Sequence, residues 1–208
     1  MTTYAYIDGF NLYYRAVKGT SYKWLDLLKM CALVAPEYPV DKIKYFTARV
    51  SGRKSDPDQP NRQQIYLRAL RTIPNLEIIY GRFLSRYTFM ALSIPIHGLP
   101  NIVQVIKTDE KGSDVNLATD LLIDAYSKSY DVALVVTNDS DLASPIKHVR
   151  DRLGLTLGIL NPDEKTQSTT LQKAASFVRP IREGVLKVSQ FPDNLRDSKG
   201  VFHKPSMW

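Results

Sequence analysis

The sequence predicts an α/β fold in which a mainly parallel central sheet carries helices on both faces. Three observations predict it. Strand-like and helix-like segments alternate along the 208 residues, the pattern of βαβ units with right-handed crossovers. DVALVVT at 131–137 is a near-continuous β-branched run, as a strand covered on both faces requires. TYAYID at 3–8 reads as a second buried strand, and each of the two runs into an aspartate.

The elements follow in order. After 3–8, Asn11 is positioned to cap a helix over LYYRAVKG, and Gly19 to end it. A helix over roughly 24–34 stops before Pro36 and has Trp24, Leu27, Leu28 and Cys31 at helical spacing. KIKYFTARV at 42–50 is a strand, and SGRKSDPDQP at 51–60 is a loop of turn residues. Residues 61–73 form a helix with Ile65, Ala69, Leu70 and Ile73 on one face, followed by a strand at 76–83. Residues 84–101, broken by prolines and a glycine, read as an inserted hairpin or loop, and 102–109 as a strand leading back. A helix over 113–129 takes Ser113 or Asp114 as its cap, with Leu117, Leu121 and Ala125 toward the core, Asp120 at its edge and Asp124 toward solvent. The strand at 131–137 leads to a helix over 141–154 with Pro145 in its first turn, where proline is tolerated. A strand at 155–160, a short helix near 169–175 and SFVRPI complete the core. This divides the chain into a domain of residues 1–184 and a polar, irregular tail of 185–208 that straps the domain or meets a partner.

Bulk properties narrow the function. The 44% hydrophobic and 24% charged composition is that of a globular domain with a sizeable core. The balance of 28 Lys and Arg against 21 Asp and Glu, net +7, suits a polyanionic partner. The single cysteine, Cys31, excludes an intramolecular disulfide, and three scattered histidines without cysteine partners argue against structural zinc. The N-terminus shows no basic leader, and no apolar run approaches a membrane span, so a cytoplasmic protein without a membrane partner is expected.

Three acidic signatures carry the chemistry: YIDGFN at 6–11, KGSD at 111–114 and TNDSDL at 137–142. Each falls at a strand end or helix start, the edge of an open α/β sheet where ligands bind. Any one of Asp8, Asp114, Asp139 or Asp141 has an ordinary explanation as a turn or cap residue. Asp139 and Asp141 together do not, since one cap needs one acid. Within the turn, Asn138 is expected to tolerate left-handed backbone angles. Carboxylates gathered at one edge are stable when protonated or when they hold a cation. Mg²⁺ or Mn²⁺ held by a few carboxylates activates water and stabilises the leaving oxygen of a phosphodiester. A serine triad, a nucleophilic cysteine and the GxxxxGK[ST] phosphate cradle are all missing.

YIDGFN, KGSDVNLATDLL and VVTNDSDL together resemble the NYN domain, a branch of the PIN-like nuclease superfamily, in its bacterial LabA-like form, over roughly residues 3–180. The resemblance implies a three-layer α/β/α sandwich and a metal-dependent ribonuclease. It implies Asp8, Asp114, Asp139 and Asp141 as Mg²⁺ or Mn²⁺ ligands, with Asn11 beside the first. Asp120 matches the second aspartate of the family's helix motif, with Thr137 and Asn138 supporting the ligands. The family's SGDSDF stands here as TNDSDL: Asn138 replaces a glycine and Leu142 an aromatic, and no carboxylate is lost.

The substrate, single-stranded or structured RNA, is expected along a basic edge. Arg49, Arg53, Lys54 and Arg62 follow the second strand, and Lys111 precedes Asp114. Arg82 and Arg86 flank the inserted region. Tyr13, with Tyr14, is placed to stack a base. A homo-oligomer is compatible with the sequence. The alternative is a non-catalytic RNA-binding or regulatory module that keeps the acidic pocket. A haloacid-dehalogenase-type phosphohydrolase needs two aspartates flanking one residue, whereas the strand here ends Asp8-Gly9-Phe10. A Toprim-like site wants a glutamate at the first strand.

Overall fold

In a computed structural model, describing residues 1–98 and 100–208, alternation along each strand sends side chains to opposite faces and builds two cores. Leu99, within the segment expected to be a hairpin or loop, lies outside the described residues. β1 (Thr3–Asp8) turns Ala5 and Ile7 to one face and Tyr6 to the other. It pairs in parallel with β2 (Lys42–Thr47) and with β6 (Val132–Val136). β3 (Leu76–Tyr80) flanks β2, while β7 (Thr156–Asn161) and β8 (Phe177–Pro180) extend the other side. The result is a six-stranded sheet of order β3-β2-β1-β6-β7-β8 with every pair parallel. All strands therefore end at one edge, and the strand order reverses between β1 and β6.

One face is covered by α1 (Gly9–Leu12) with its π-helical continuation Tyr13–Val17, by α2 (Leu27–Val34) and by α3 (Gln59–Leu70). α2 starts where the Asp26 carboxylate accepts from the Leu28 and Lys29 amides. The other face is covered by α4 (Ser113–Tyr126), α5 (Ala143–Leu153) and α6 (Thr169–Ala174). Leu117, Leu121 and Ala125 recur every four residues along α4 and are buried, as the sequence predicts. The three-layer α/β/α architecture follows from these two cores.

Two segments differ from expectation. β4 (Arg82–Ala91) and β5 (Ile102–Lys111) form an antiparallel ribbon of ten residues a strand, so the hairpin begins earlier and is longer than 84–101. It stands off the sheet, and Tyr87, Phe89, Ile102 and Ile106 on one of its faces are exposed. After Gly184 the chain is ordered rather than irregular: α7 (Glu183–Val188) precedes a hairpin of β9 (Asn194–Asp197) and β10 (Gly200–His203). Its apolar residues explain the order. Phe191, Phe202 and Trp208 pack edge-on around fully buried Trp24, and Arg68 clamps Asp197 with two hydrogen bonds of 2.7 and 2.6 Å. No described helix is long and apolar enough to cross a membrane.

Candidate active site

The tips of β1 and β6 meet at the reversal of strand order, where an open parallel sheet leaves a crevice. Asp8 ends β1 and caps α1, its Oδ1 accepting from the Asn11 amide at 2.9 Å. Asn11 therefore does not cap the helix; Asp8 does, because the helix starts at Gly9. The Asn11 side chain reaches across instead, and its Oδ1 accepts from the Asn138 amide at 2.9 Å. Thr137 Oγ1 donates to Asp8 Oδ2 at 3.2 Å and accepts from the Asp139 amide at 3.0 Å. Four residues predicted for the site, Asp8, Asn11, Thr137 and Asn138, thus form one continuous hydrogen-bonded seam.

Asn138 is not in the left-handed region; among the described residues only Asn75 and Lys128 combine a side chain with positive φ. Its side chain is used as a fastener. Nδ2 donates to the Thr166 carbonyl at 3.0 Å and Oδ1 accepts from the Ser168 amide at 3.0 Å. That ties the β6 tip to the loop before α6, a role a glycine could not fill. Asp139 Oδ1 accepts from the Asp141 amide at 3.0 Å and caps a 3₁₀ turn over Ser140–Leu142 that runs into α5.

Asp114 stands in the first turn of α4, at the same edge. Neither Ser113 nor Asp114 caps this helix. The capping position is Gly112, with φ +101, and Glu110 caps from outside by accepting from the Ser113 amide (3.2 Å) and hydroxyl (2.8 Å). Gly81 backs this arrangement, since a Cβ there would lie 2.3 Å from Glu110 Oε1. Glu110 is an acidic residue of the edge that sequence reading missed. Its only local signal is a carboxylate three residues before the helix.

Electrostatics bind these groups into one field. Burial pushes the Asp8 carboxyl up to about 7; the hydrogen bonds from Asn11 and Thr137 oppose this, and the charges of Asp114 and Asp139 reinforce it. The Asp114 carboxyl is also held above its ordinary value, by burial first and then by Asp139, Glu110 and Asp141. Asp8, Asp114, Asp139 and Asp141 therefore share a neighbourhood. Among the described residues they do not stand close enough to make a ready-made cluster of three metal-ligating side chains. Asp8 and Asp139 each commit an oxygen to a backbone amide.

Asp120 and Asp124 face elsewhere. Lys44 Nζ, nearly buried on β2, lies 3.1 Å from Asp120 and 2.6 Å from Asp124. The Tyr6 hydroxyl donates to Asp124 at 2.7 Å. Asp124 does not meet solvent as expected. The buried ammonium beneath α4 needs a counter-charge, and a second carboxylate one turn along supplies it.

The basic residues scatter. Arg62 is held by Asp56, Arg49 lies over the Tyr80 ring at 5.2 Å, and Arg53 and Lys54 stand exposed in the loop. Lys111 is exposed at the end of β5. Arg86 approaches Asp109 at 3.6 Å. Tyr13 is half-buried and packs edge-on with Tyr14.

Comparison with known proteins agrees with this fold. A solved structure of a protein of unknown function from Vibrio parahaemolyticus RIMD 2210633 superposes with a TM-score of 0.57 at 16% identity, covering 88% of this chain and 93% of that one. It shows the same fold. A relative from Pseudomonas putida (strain DSM 28022 / S16), 6-hydroxy-3-succinoylpyridine 3-monooxygenase, is 30% identical over 240 aligned positions, spanning 100% of this chain and 75% of its own. The NYN domain model matches residues 2–181, which contain every residue of the acidic edge, and the chain belongs to the NYN domain family, with its nuclease-like fold.

Proposed function

We propose that the protein is a metal-dependent endoribonuclease that hydrolyses RNA at the acidic edge between β1 and β6. One observation carries this reading: Asp8 is buried at the reversal of strand order with its carboxyl pushed up to about 7, partly by Asp114 and Asp139. Such a site disfavours its own charge until a cation offsets it.

The donor chemistry fits Mg²⁺ or Mn²⁺. The edge offers only carboxylate, hydroxyl and amide oxygens, and Mg²⁺ needs one or two direct carboxylates, the remaining positions taken by water and phosphate oxygens. Asp8 and one of Asp114, Asp139 or Asp141 would hold the ion directly, and the remaining acids through bound water. Bound there, it would supply an activated water and a stabilised leaving oxygen. The chain's own residues position the groups around it. Asn11 and Thr137 fix the Asp8 rotamer, and Glu110 fixes the start of α4 and hence Asp114. Water adds to phosphorus, the 3′ oxygen leaves and takes up a proton, and the products carry a 5′-phosphate and a 3′-hydroxyl. Lys111, Arg53 and Lys54 are exposed, and with Arg49 they would meet the RNA backbone. The β4–β5 ribbon adds exposed Tyr87 and Phe89 as stacking surfaces.

The test is cleavage of pooled cellular RNA with Mg²⁺ or Mn²⁺, with EDTA and Asp139→Asn as controls. The asparagine keeps an acceptor for the Asp141 amide, so the turn is preserved. Cutting that survives both controls overturns the metal site. A wild type that binds RNA and never cuts it supports the non-catalytic module instead.

A second reading is oxygenation of a small heteroaromatic molecule. The relative named as a monooxygenase favours it, because its likeness spans the whole chain. One atom of dioxygen would enter as hydroxyl at the ring carbon that bears the acyl chain, the acyl group would leave as an aldehyde, and the other oxygen atom would leave as water, with four electrons from two reduced nicotinamides. Turnover of 6-hydroxy-3-succinoylpyridine with those co-reactants, followed by mass spectrometry, tests it directly.

A further inference from the structure

Beside the acidic edge, on the α3 side of β1, lies a cavity of about 240 Å³. Its wall is largely aromatic, formed by Tyr13, Tyr45, Tyr66 and Trp208, and Val50 is part of the lining. Most polar groups in that wall are already engaged. The Tyr66 hydroxyl donates to the Leu25 carbonyl, Gln63 exchanges hydrogen bonds with Ala48 and Val50, and Arg62 is paired with Asp56. Lys23 also lines the cavity, and no ion pair among the described residues takes up its charge.

We propose that this cavity binds one planar heteroaromatic ring bearing an anionic group, the ring among the tyrosines and Trp208 and the anion at Lys23. The size fits, because a cavity of ~150 Å³ holds benzene and the additional volume admits ring substituents. The chemistry fits because ring faces stack on aromatic walls and a half-buried lysine without a carboxylate partner recruits an anion. The position links it to the acidic edge. Gly9, which follows Asp8, lines the cavity, and a Cβ on it would lie 2.7 Å from the Tyr45 hydroxyl. Burial holds that hydroxyl proton on more tightly than usual; Thr47 opposes the shift and nearby Asp8 adds to it. A ring seated here would place its substituent within reach of the edge where Asp8 stands.

Two sources share this chemistry: a nucleotide of a bound RNA and a free heteroaromatic acid. The inference stands on the cavity and needs no turnover, so it fails or survives separately from the nuclease reading. The experiment is calorimetric titration of the full chain with nucleoside 5′-monophosphates in one arm and 6-hydroxypyridine-3-carboxylate in the other. Saturable binding of either class is expected. Lys23→Glu should weaken it at least tenfold, Lys23→Arg should retain it, and Val50→Phe should abolish it by filling the space. Thermal melts of each variant report folding, and Lys23→Glu alters only a half-buried side chain. Binding of the nucleotides alone assigns the site to RNA, and binding of the pyridine acid alone assigns it to a small molecule. Absence of saturable binding in both arms at millimolar ligand overturns the proposal. Equal affinity in the wild type, Lys23→Glu and Val50→Phe does so as well.

Discussion

The Asn11 carboxamide accepts the Asn138 amide proton at 2.9 Å, joining the first helix to the tip of β6 across the reversal of strand order. Without that bond the two halves of the acidic edge would be held together at this point only through Thr137. Asn11→Ala leaves the buried Asn138 N–H without its acceptor, at a cost of about 1–3 kcal/mol. The RNA cleavage rate should fall roughly 10- to 100-fold, because displacement of Asp8 from Asp139 by a fraction of an ångström spoils alignment. Asn11→Asp keeps an acceptor and should recover stability in urea titrations without recovering rate.

Asp8 predicts a pH dependence of stability. Its carboxyl titrates at about 7 in the folded chain against 3.8 as its ordinary value, so the folded state binds the extra proton between those limits. The contribution of Asp8 to the stability of the metal-free protein is therefore most favourable below the lower value, falls as pH rises toward 7, and levels off above it. Asp8→Asn removes this loss and should stabilise the metal-free protein at pH 8 by roughly 2–4 kcal/mol. Mg²⁺ should raise the melting temperature of the wild type more at pH 8 than at pH 5, and should not do so for Asp8→Asn. Thermal melts across pH, with and without EDTA, check both outcomes.

The Lys44 ammonium sits between Asp120 and Asp124, away from the acidic edge. Burial alone would lower its affinity for the proton, but hydrogen bonds to the two carboxylates more than restore it. Lys44→Met leaves two acids without a counter-charge and should destabilise the fold by about 2–4 kcal/mol, measured by denaturant titration. Asp120→Asn should cost less, since Asp124 remains, and should leave the cleavage rate per folded molecule close to wild type. A large loss of rate in Asp120→Asn with normal stability would show that Asp120 supports the ligands as the family motif implies.

Gly81 predicts a remote effect on the site. An added Cβ would lie 2.3 Å from Glu110 Oε1, 2.7 Å from the Lys111 carbonyl and 3.0 Å from the Ser113 amide. Two of these neighbours are backbone, so Gly81→Ala must shift the entry to α4. It should cost about 1–3 kcal/mol through overpacking and slow RNA cleavage by at least tenfold through Asp114. Glu110→Gln, which keeps one acceptor for the Ser113 amide, should be milder in both assays.

Much of the fold was legible because periodicity is a local property. The β-branched run at 131–137 and the i, i+4 spacing of Leu117, Leu121 and Ala125 report burial without knowledge of any neighbour. The acidic edge was legible for a related reason: Asp8 and Asp139 follow strands that must be parallel, so both end on one side. Asp124 was misplaced because its partner, Lys44, lies 80 positions away and only the packing of α4 across β2 brings them together. The regular structure of the tail was missed because its apolar residues, Phe191, Phe202 and Trp208, are too widely spaced to show a period. Their shared target, Trp24, is invisible until the chain closes.

By itself, then, the chain's order of residues determined the alternation of strands and helices, the parallel sense of the sheet and which aspartates reach its carboxyl edge. Those follow from local hydrophobic period and from the handedness of crossovers. Only the tertiary structure decided that Asn11 and Asn138 serve as ties rather than caps and turns, that Glu110 starts α4, and that an aromatic cavity lies beside Asp8. Each of these depends on a partner distant in sequence or on the spacing between packed side chains, and neither is encoded in any single stretch of the chain.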